Sequence, residues 1–401
     1  MRIGAGPVSP HIASFRAKLE GLGYTPAQVL YHLRFFAKFD LWLLRRKQRL
    51  WRINEKQVDQ FLNRLRHELP GVCRGAPSAL RRLLTFLREI RVVAPKRAPV
   101  ADSPALRLAD EYRLFLKEER GLDCATIRNY SRHIERFLGE RFGTGRVSLH
   151  TLGTSDVSAF VRRHAPRGGL GLAAQRVTGL RSFFRFARLH GLIASDLAAV
   201  VPAVPTWKGS GPPKHLSRKA VQRVLTACEQ ATVRGKRDYA ILLLLARLGL
   251  RAGEIVTLQL DDIDWVNAQL TIRSKKGNGW ARLPLPIDVG RALARYLRVR
   301  PPSTHRNVFV RGYAPYAPCV ASGPVSVLVR KAIERAEVKS TRTGAHLFRH
   351  SLATEMLRRG ASLDEIGRVL RHRHPDTTAI YAKVDLKALR GLALPWPGGA
   401  Q

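Results

Sequence analysis

A mainly helical fold with one small antiparallel β-sheet is what the 401-residue sequence predicts: two N-terminal helical bundles followed by a mixed α+β domain. Three observations predict it. Through the first two hundred positions apolar residues recur at helical spacing, with Arg and His on the other positions. Two stretches rich in Pro and small residues, APKRAPVADSP (94–104) and VPAVPTWKGSGPP (201–213), interrupt that periodicity and read as linkers. Beyond the second linker, AQLTIRS and ARLPLP read as strands joined by KKGNG, a hairpin signal. The expected pieces are 1–97, 105–200 and 214–391, with a C-terminal tail at 392–401.

The first two pieces read as copies of each other. GYTPAQVLYHLRFFAKF (23–39) aligns with GLDCATIRNYSRHIERF (121–137), VDQFL (58–62) with VSAFV (157–161), and LRRLLTFLREIRVV (80–93) with LRSFFRFARLHGLI (180–193). The offsets are 98, 99 and 100 residues, so three ordered matches drift only by single insertions, and duplication is the reading they support. Each copy is expected to be a bundle of about four short helices, of the basic kind that lies along phosphates or in a major groove.

In the third piece, Ser217 is placed to cap RKAVQRVLTACEQA. DYAILLLLARLG follows as a buried helix ending at Gly249. After the hairpin come GAHLFRHSLATEMLRRG and SLDEIGRVLRH, the latter opening on a Ser362/Glu365 capping box.

Composition narrows the partners. Lys and Arg number 70 against 30 acids, a formal +40, and they punctuate amphipathic segments rather than forming a tail. Such a field attracts polyanions, because every neutralised phosphate releases condensed counterions; a ribosomal-type protein or an Arg-favouring genome would share it. The longest apolar run, AILLLLA, is too short to span a bilayer, and the N-terminus lacks a signal-peptide core, so no membrane partner is expected. Four scattered cysteines without a CxxC pair fit reduced thiols in a cytoplasm.

Four segments then line up with a known family. ARLGLRAGEIVTLQLDDIDW, with its Arg in a GLRxxE setting, and HLFRHSLAT, an H-x-x-R-H box, resemble the first and second boxes of the tyrosine recombinases, the phage integrase family. LRHRHPDTTAIYAKV resembles the segment bearing the family's last His and its nucleophilic Tyr, and SKKGNGWARLPLP resembles the hairpin that supplies a catalytic Lys. The resemblance runs from about 216 to 384 in family order, and the second piece resembles the family's core-binding domain. The first piece is an addition to the minimal layout, and the duplication makes it a further DNA-binding module.

The resemblance implies roles. Tyr381 is the expected nucleophile, leaving a 3′-phosphotyrosyl bond and a free 5′-hydroxyl; the covalent diester conserves the energy of the broken one, so resealing needs no ATP. Arg251 and Arg349 would clamp the scissile phosphate, since guanidinium forks fit phosphate oxygens bidentately. Lys276 would protonate the departing 5′-oxygen and His346 would help deprotonate Tyr381, because a phenol of pKa about 10 is mostly un-ionised at neutral pH. His372 would hydrogen-bond the phosphate or orient the transition state. No cofactor and no metal is expected, since Arg and Lys already neutralise the phosphate. The implied partners are double-stranded DNA and further copies of the chain, two per duplex and four in a synapse that passes through a Holliday junction, with sister recombinases open.

Alternatives stand beside these roles. Arg251 is also placed to cap the preceding helix, Lys275 competes with Lys276, and His346 and His350 share an i, i+4 metal-ligand spacing without an acidic third ligand. His350 is expected to pack or hydrogen-bond nearby, and Glu254 to act as a supporting or capping acid. Where the family has Gly before its last His, at a helix end where glycine makes a left-handed conformation cheap, this chain has Arg371, which could shift the local backbone or add a phosphate contact. A DNA-binding regulator that does not cut, or a type IB topoisomerase-like relaxase, are the rival functions. Trp396 in the tail is an anchor for a neighbouring subunit or part of a disordered end.

Overall fold

The computed structural model describes residues 6–68, 75–95, 103–164, 169–204, 213–273, 279–319, 321–372 and 374–384. The chain divides into two compact units, Lys96–Ser210 and a second made of Met1–Pro95 with Gly211–Gln401.

The N-terminal bundle has four helices: α1 (Ile12–Gly21), α2 (Pro26–Arg45), α3 (Glu55–Glu68) and α4 (Ala76–Glu89). Thr25 opens α2 with a capping box closed by Gln28. The middle unit repeats the plan with α5 (Pro104–Glu118), α6 (Cys124–Phe142), α7 (Thr154–His164) and α8 (Gly169–Leu189). Both place a single 3-10 turn between the second and third helices, Leu50–Arg52 in one and Leu149–Thr151 in the other.

The repetition extends to the cores. Phe15, Leu19, Phe36, Phe39, Val58, Phe61, Leu80 and Phe86 are buried, and so are their counterparts 97 to 100 residues later, Tyr112, Leu116, Ile134, Phe137, Val157, Phe160, Leu180 and Phe186. Backbone exceptions repeat as well: Gly23 and Gly121 both have positive φ, and so do Arg91 and Gly191. Shared burial and shared positive-φ positions at one drifting offset are consistent with the duplication read from the sequence.

The C-terminal domain packs α9 (Arg218–Thr226), α10 (Val233–Leu248), α11 (Ala252–Thr257), α12 (Ile287–Leu297), α13 (Gly323–Arg335), α14 (His346–Arg358), α15 (Leu363–Leu370) and α16 (Asp376–Ala379) with one small sheet. Strands β1 (Ile263–Asp264), β2 (Gln269–Arg273) and β3 (Trp280–Pro284) are antiparallel in that order, Leu270 facing Leu283 across the hairpin. The edge strand β1 is too short to register in the sequence pattern. Ser217 Oγ accepts from Ala220 N at 3.2 Å, and Ser362 and Glu365 close the expected box. The α10 run Ala240–Leu245 is buried at the centre of the core, which explains its apolar surface all round.

One loop of this domain reaches the N-terminal bundle. Ala314 is buried within that bundle's core and Tyr316 packs against it, with Gly23 so close that an added Cβ would lie 2.8 Å from the Tyr316 ring. Nothing in the sequence linked these segments. No helix among the described residues is long and apolar enough to cross a membrane.

Candidate active site

Three chain turns build the site, and each is specified locally. Helix α10 ends at Gly249 in the left-handed conformation (φ 58°), and a Cβ there would come within 2.7 Å of Leu370, so both backbone and space demand glycine. Two residues on, Arg251 is the N-cap of α11, its N–H donating to Glu254 Oε2 at 2.8 Å. Helix α14 then sets His346, Arg349 and His350 on one face by their i, i+3, i+4 spacing. Helix α15 ends at Arg371, also left-handed (φ 57°), which turns the chain so that His372 follows at once.

Arg349 is the hub. Its side chain is almost fully buried, at 3% exposure, yet has no carboxylate partner among the described residues. Instead Nη1 donates to Gly249 O at 2.6 Å and Nη2 donates to Leu370 O. These carbonyls close the C-terminal ends of α10 and α15, where unpaired acceptors and the negative dipole ends favour a cation. Burial first, then neighbouring Arg251 and Arg371, pull its pKa down to about 9, which leaves it charged at neutral pH.

Arg251 stands more open, with its side chain 39% exposed. Its Nη1 donates to Glu254 Oε1 at 2.8 Å and its Nη2 to Arg371 O at 3.2 Å. Arg371 answers by donating from Nη2 to Glu254 Oε2 at 3.0 Å. One carboxylate therefore bridges two guanidiniums. Burial raises the Glu254 pKa, but Arg371 and Arg251 outweigh it and hold the group below its ordinary value.

Tyr381 follows α16 and is 1% exposed. Its hydroxyl lies 2.8 Å from His350 Nδ1, and its ring stacks parallel to His372 at 6.4 Å. His372 Nδ1 is in turn 2.7 Å from Thr378 Oγ1. Burial pushes the phenol up to about 12, with Arg349 opposing. His350 is pulled down to about 4 by burial, then by His346 and Arg349, and His372 to about 4 by burial, then by Arg349 and Arg251. His346 is lowered by burial and the same two arginines. A protonated phenol and a neutral imidazole match when Oη–H donates to Nδ1.

Of the six residues singled out in the sequence, Arg251, His346, Arg349, His372 and Tyr381 come together here. Lys276, with its competitor Lys275, lies outside the described residues. The histidine on the tyrosine hydroxyl is His350, whereas the expectation placed His346 there; no hydrogen bond joins His346 to Tyr381 among the described residues. His350 was expected to pack or hydrogen-bond nearby, and it does so on the Tyr381 hydroxyl; the doubled histidine of H-x-x-R-H was its one available signal. The i, i+4 histidines gather no third ligand, since no group of three His, Cys, Asp or Glu suited to a metal occurs among the described residues.

Residues 214–387 match the profile described as phage integrase family, and residues 109–191 match the phage integrase N-terminal SAM-like domain. A curated relative, the putative integrase/recombinase y4rA of Sinorhizobium fredii (strain NBRC 101917 / NGR234), is 44% identical over 99% of this chain and 96% of its own length. The chain belongs to the phage integrase family. It is by class a tyrosine recombinase, a site-specific DNA breaking and rejoining enzyme. The tyrosine recombinase XerD of Mycobacterium tuberculosis is 32% identical across 72% of this chain and 95% of the relative. Among solved structures, a lambda integrase dimer bound to a COC′ core site matches with a TM-score of 0.55 at 18% identity, over 74% of this chain and 99% of that one. A XerH complex after cleavage of palindromic difH matches with 0.56 at 17%, over 86% and 95%. At those identities the likeness shows the integrase fold. Neither matched profile reaches the N-terminal bundle.

The histidines make the recombinase acid-sensitive. A group whose folded pKa is depressed contributes stability that is complete above its unfolded value, about 6.5, and is lost as pH falls through the folded value, here about 4 for His350 and His372. The melting temperature should hold from pH 8 to 7 and fall between pH 6.5 and 4.5, above the range where carboxylates titrate. His350→Gln should lose less across that window than the parent. Equal losses would mean that the Tyr381 contact does not depend on a neutral imidazole.

Proposed function

We infer that this recombinase cuts duplex DNA with Tyr381 and reseals it from a 3′-phosphotyrosyl intermediate, exchanging strands pairwise through a Holliday junction. The observation that carries the reading is the meeting of two guanidiniums and three imidazoles with a buried tyrosine, at the C-terminal ends of α10 and α15. Tyr381 Oη attacks phosphorus as its proton leaves, and the bond to the 5′-oxygen breaks as that oxygen gains a proton from Lys276. Arg251 and Arg349 hold the charge that spreads over the non-bridging oxygens. His346, beside Arg349, assists deprotonation, and His372 hydrogen-bonds the phosphate. His350 holds the hydroxyl while the site is at rest.

The substrate is double-stranded DNA in the cytoplasm, bound by two copies per duplex and four per synapse; the tail at 392–401, with Trp396, lies outside the described residues. The domain reading follows: residues 1–97 and 105–200 grip DNA, and 214–391 cut it. Nicked suicide duplexes carrying the gene's own flanking ends test the reading, with EDTA present. A denaturant-resistant protein–DNA adduct supports it. Specific binding without an adduct overturns it in favour of a regulator that does not cut.

Arg371 acts here as a positioning residue, because it shares Glu254 with Arg251. Arg371→Gly removes that pairing while relieving a left-handed residue that costs roughly 1 kcal/mol outside glycine. Stability should therefore change little. With Glu254 drawing on Arg251 alone, cleavage should slow roughly tenfold, about 1.4 kcal/mol, with DNA affinity within about twofold. An unchanged single-turnover rate would detach Arg371 from the clamp.

A further inference from the structure

The N-terminal bundle supplies no residue to the site, yet it carries the densest exposed charge in its half of the molecule. Between α2 and α3, the stretch RRKQRLWR (45–52) holds five cations, Arg45, Arg46, Lys47, Arg49 and Arg52, all exposed, around Trp51 at 55% exposure. Arg46 lies over the Trp42 ring and Arg52 over the Trp51 ring, each at 4.7 Å. None of the five forms an ion pair among the described residues, whereas Arg16, Arg64, Arg136 and Arg188 of the bundles each pair with an acid.

Duplication does not account for this cluster. The equivalent turn of the second bundle, GTGRVSLH (143–150), has one Arg. In that bundle Glu140 binds Arg136, Arg163 and His164 at 2.9 to 3.2 Å, and its counterpart 98 residues earlier is Trp42. Residues 1–95 hold 18 Lys and Arg against 6 acids, whereas 96–210 hold 19 against 10. The copy that no family profile matches has thus gained cations and shed acids on a shared fold. Uncompensated like charges at this density repel one another, and a polyanion relieves the repulsion.

We propose that the 45–52 turn is a second duplex-DNA contact, gripping phosphates of the DNA that flanks the stretch on which Tyr381 acts. The proposal rests on the reading of duplex DNA as the substrate. The turn's side chains are long, exposed and free of acids, which suits backbone contact rather than base readout. Trp51, capped by Arg52, offers an apolar face to the sugars. The bundle is held to the C-terminal domain by Ala314 and Tyr316, so its grip is linked to the domain that cuts.

The test compares two nicked duplexes, the core site alone and the same core with two helical turns, about 21 bp, of unrelated flanking sequence. Wild type should bind the flanked duplex more tightly. Its log K against log salt should be steeper than for Arg45→Gln/Arg49→Gln/Arg52→Gln by about 2.7, at roughly 0.9 per phosphate contact. The triple variant should lose the preference for flanked DNA and still form wild-type levels of adduct on the core duplex. A second variant, Arg16→Gln/Arg64→Gln/Arg66→Gln, removes the same charge from α1 and α3 and should keep both preference and slope. Equal losses in the two variants would reduce the effect to net charge and overturn the proposal, as would a wild type indifferent to flanks. Circular dichroism melts establish that both variants fold. If wild type forms no adduct on the core duplex, the cutting reading fails separately, and the binding slopes still decide this one.

Discussion

Tyr381→Phe is expected to bind its DNA ends as wild type does and to form no covalent adduct, a loss on the order of 10⁵ to 10⁶ in cleavage, as for other removed nucleophiles. Binding survives because the ring, which supplies the packing against Ile366, Leu370 and His372, is retained. Stability should fall only by about 1 kcal/mol, for the lost bond to His350. Denaturing gels of single-turnover reactions, run beside a filter-binding series, measure both quantities. Residual adduct at more than a thousandth of the wild-type amount would mean that another residue can attack, and the assignment of Tyr381 would fall.

Arg349→Lys should be less damaging to the reaction and more damaging to the fold, although the charge is kept. A lysine has one nitrogen head where the guanidinium fork reaches two helix ends, Gly249 O and Leu370 O. At least one of these carbonyls is left buried and unpaired, at about 1 to 3 kcal/mol. Cleavage should drop by a further factor of 10² to 10³, the usual scale for removing one oxyanion donor. Denaturant titration gives the first number and the adduct assay, run well below the variant's unfolding midpoint, gives the second. A variant that loses cleavage with no loss of stability would show that Arg349 acts on the phosphate without bracing α10 against α15.

Much of this was legible in the residues. Gly249, the Ser217 cap, the Ser362/Glu365 capping box, the KKGNG hairpin and the doubled bundle all announce themselves by local rules, since each depends on residues within a few positions or on a repeat. The motif order also named five of the residues that meet at the site. What escaped was tertiary. His350 and Tyr381 are 31 residues apart, and no spacing rule says which of two helical histidines faces a distant phenol. Arg371 was conspicuous as a replaced glycine, but its carboxylate partner lies 117 residues earlier. The seating of Ala314 in the N-terminal core joins segments with no shared pattern at all. The sequence periodicity marked three pieces, and only packing shows that the first and third form one compact unit.

The buried tyrosine bears on how this protein meets the wrong DNA. A chain of net charge +40 will sit on almost any DNA it meets, and most of those encounters are with the wrong sequence. On the proposed reading of Tyr381 as nucleophile, each is an opportunity for a stray nick. The Tyr381 hydroxyl is buried against His350, and burial holds the phenol above its ordinary range, so at neutral pH it keeps its proton. On that reading, lying along a phosphate backbone is not sufficient to cut it, because the proton on Tyr381 must first leave.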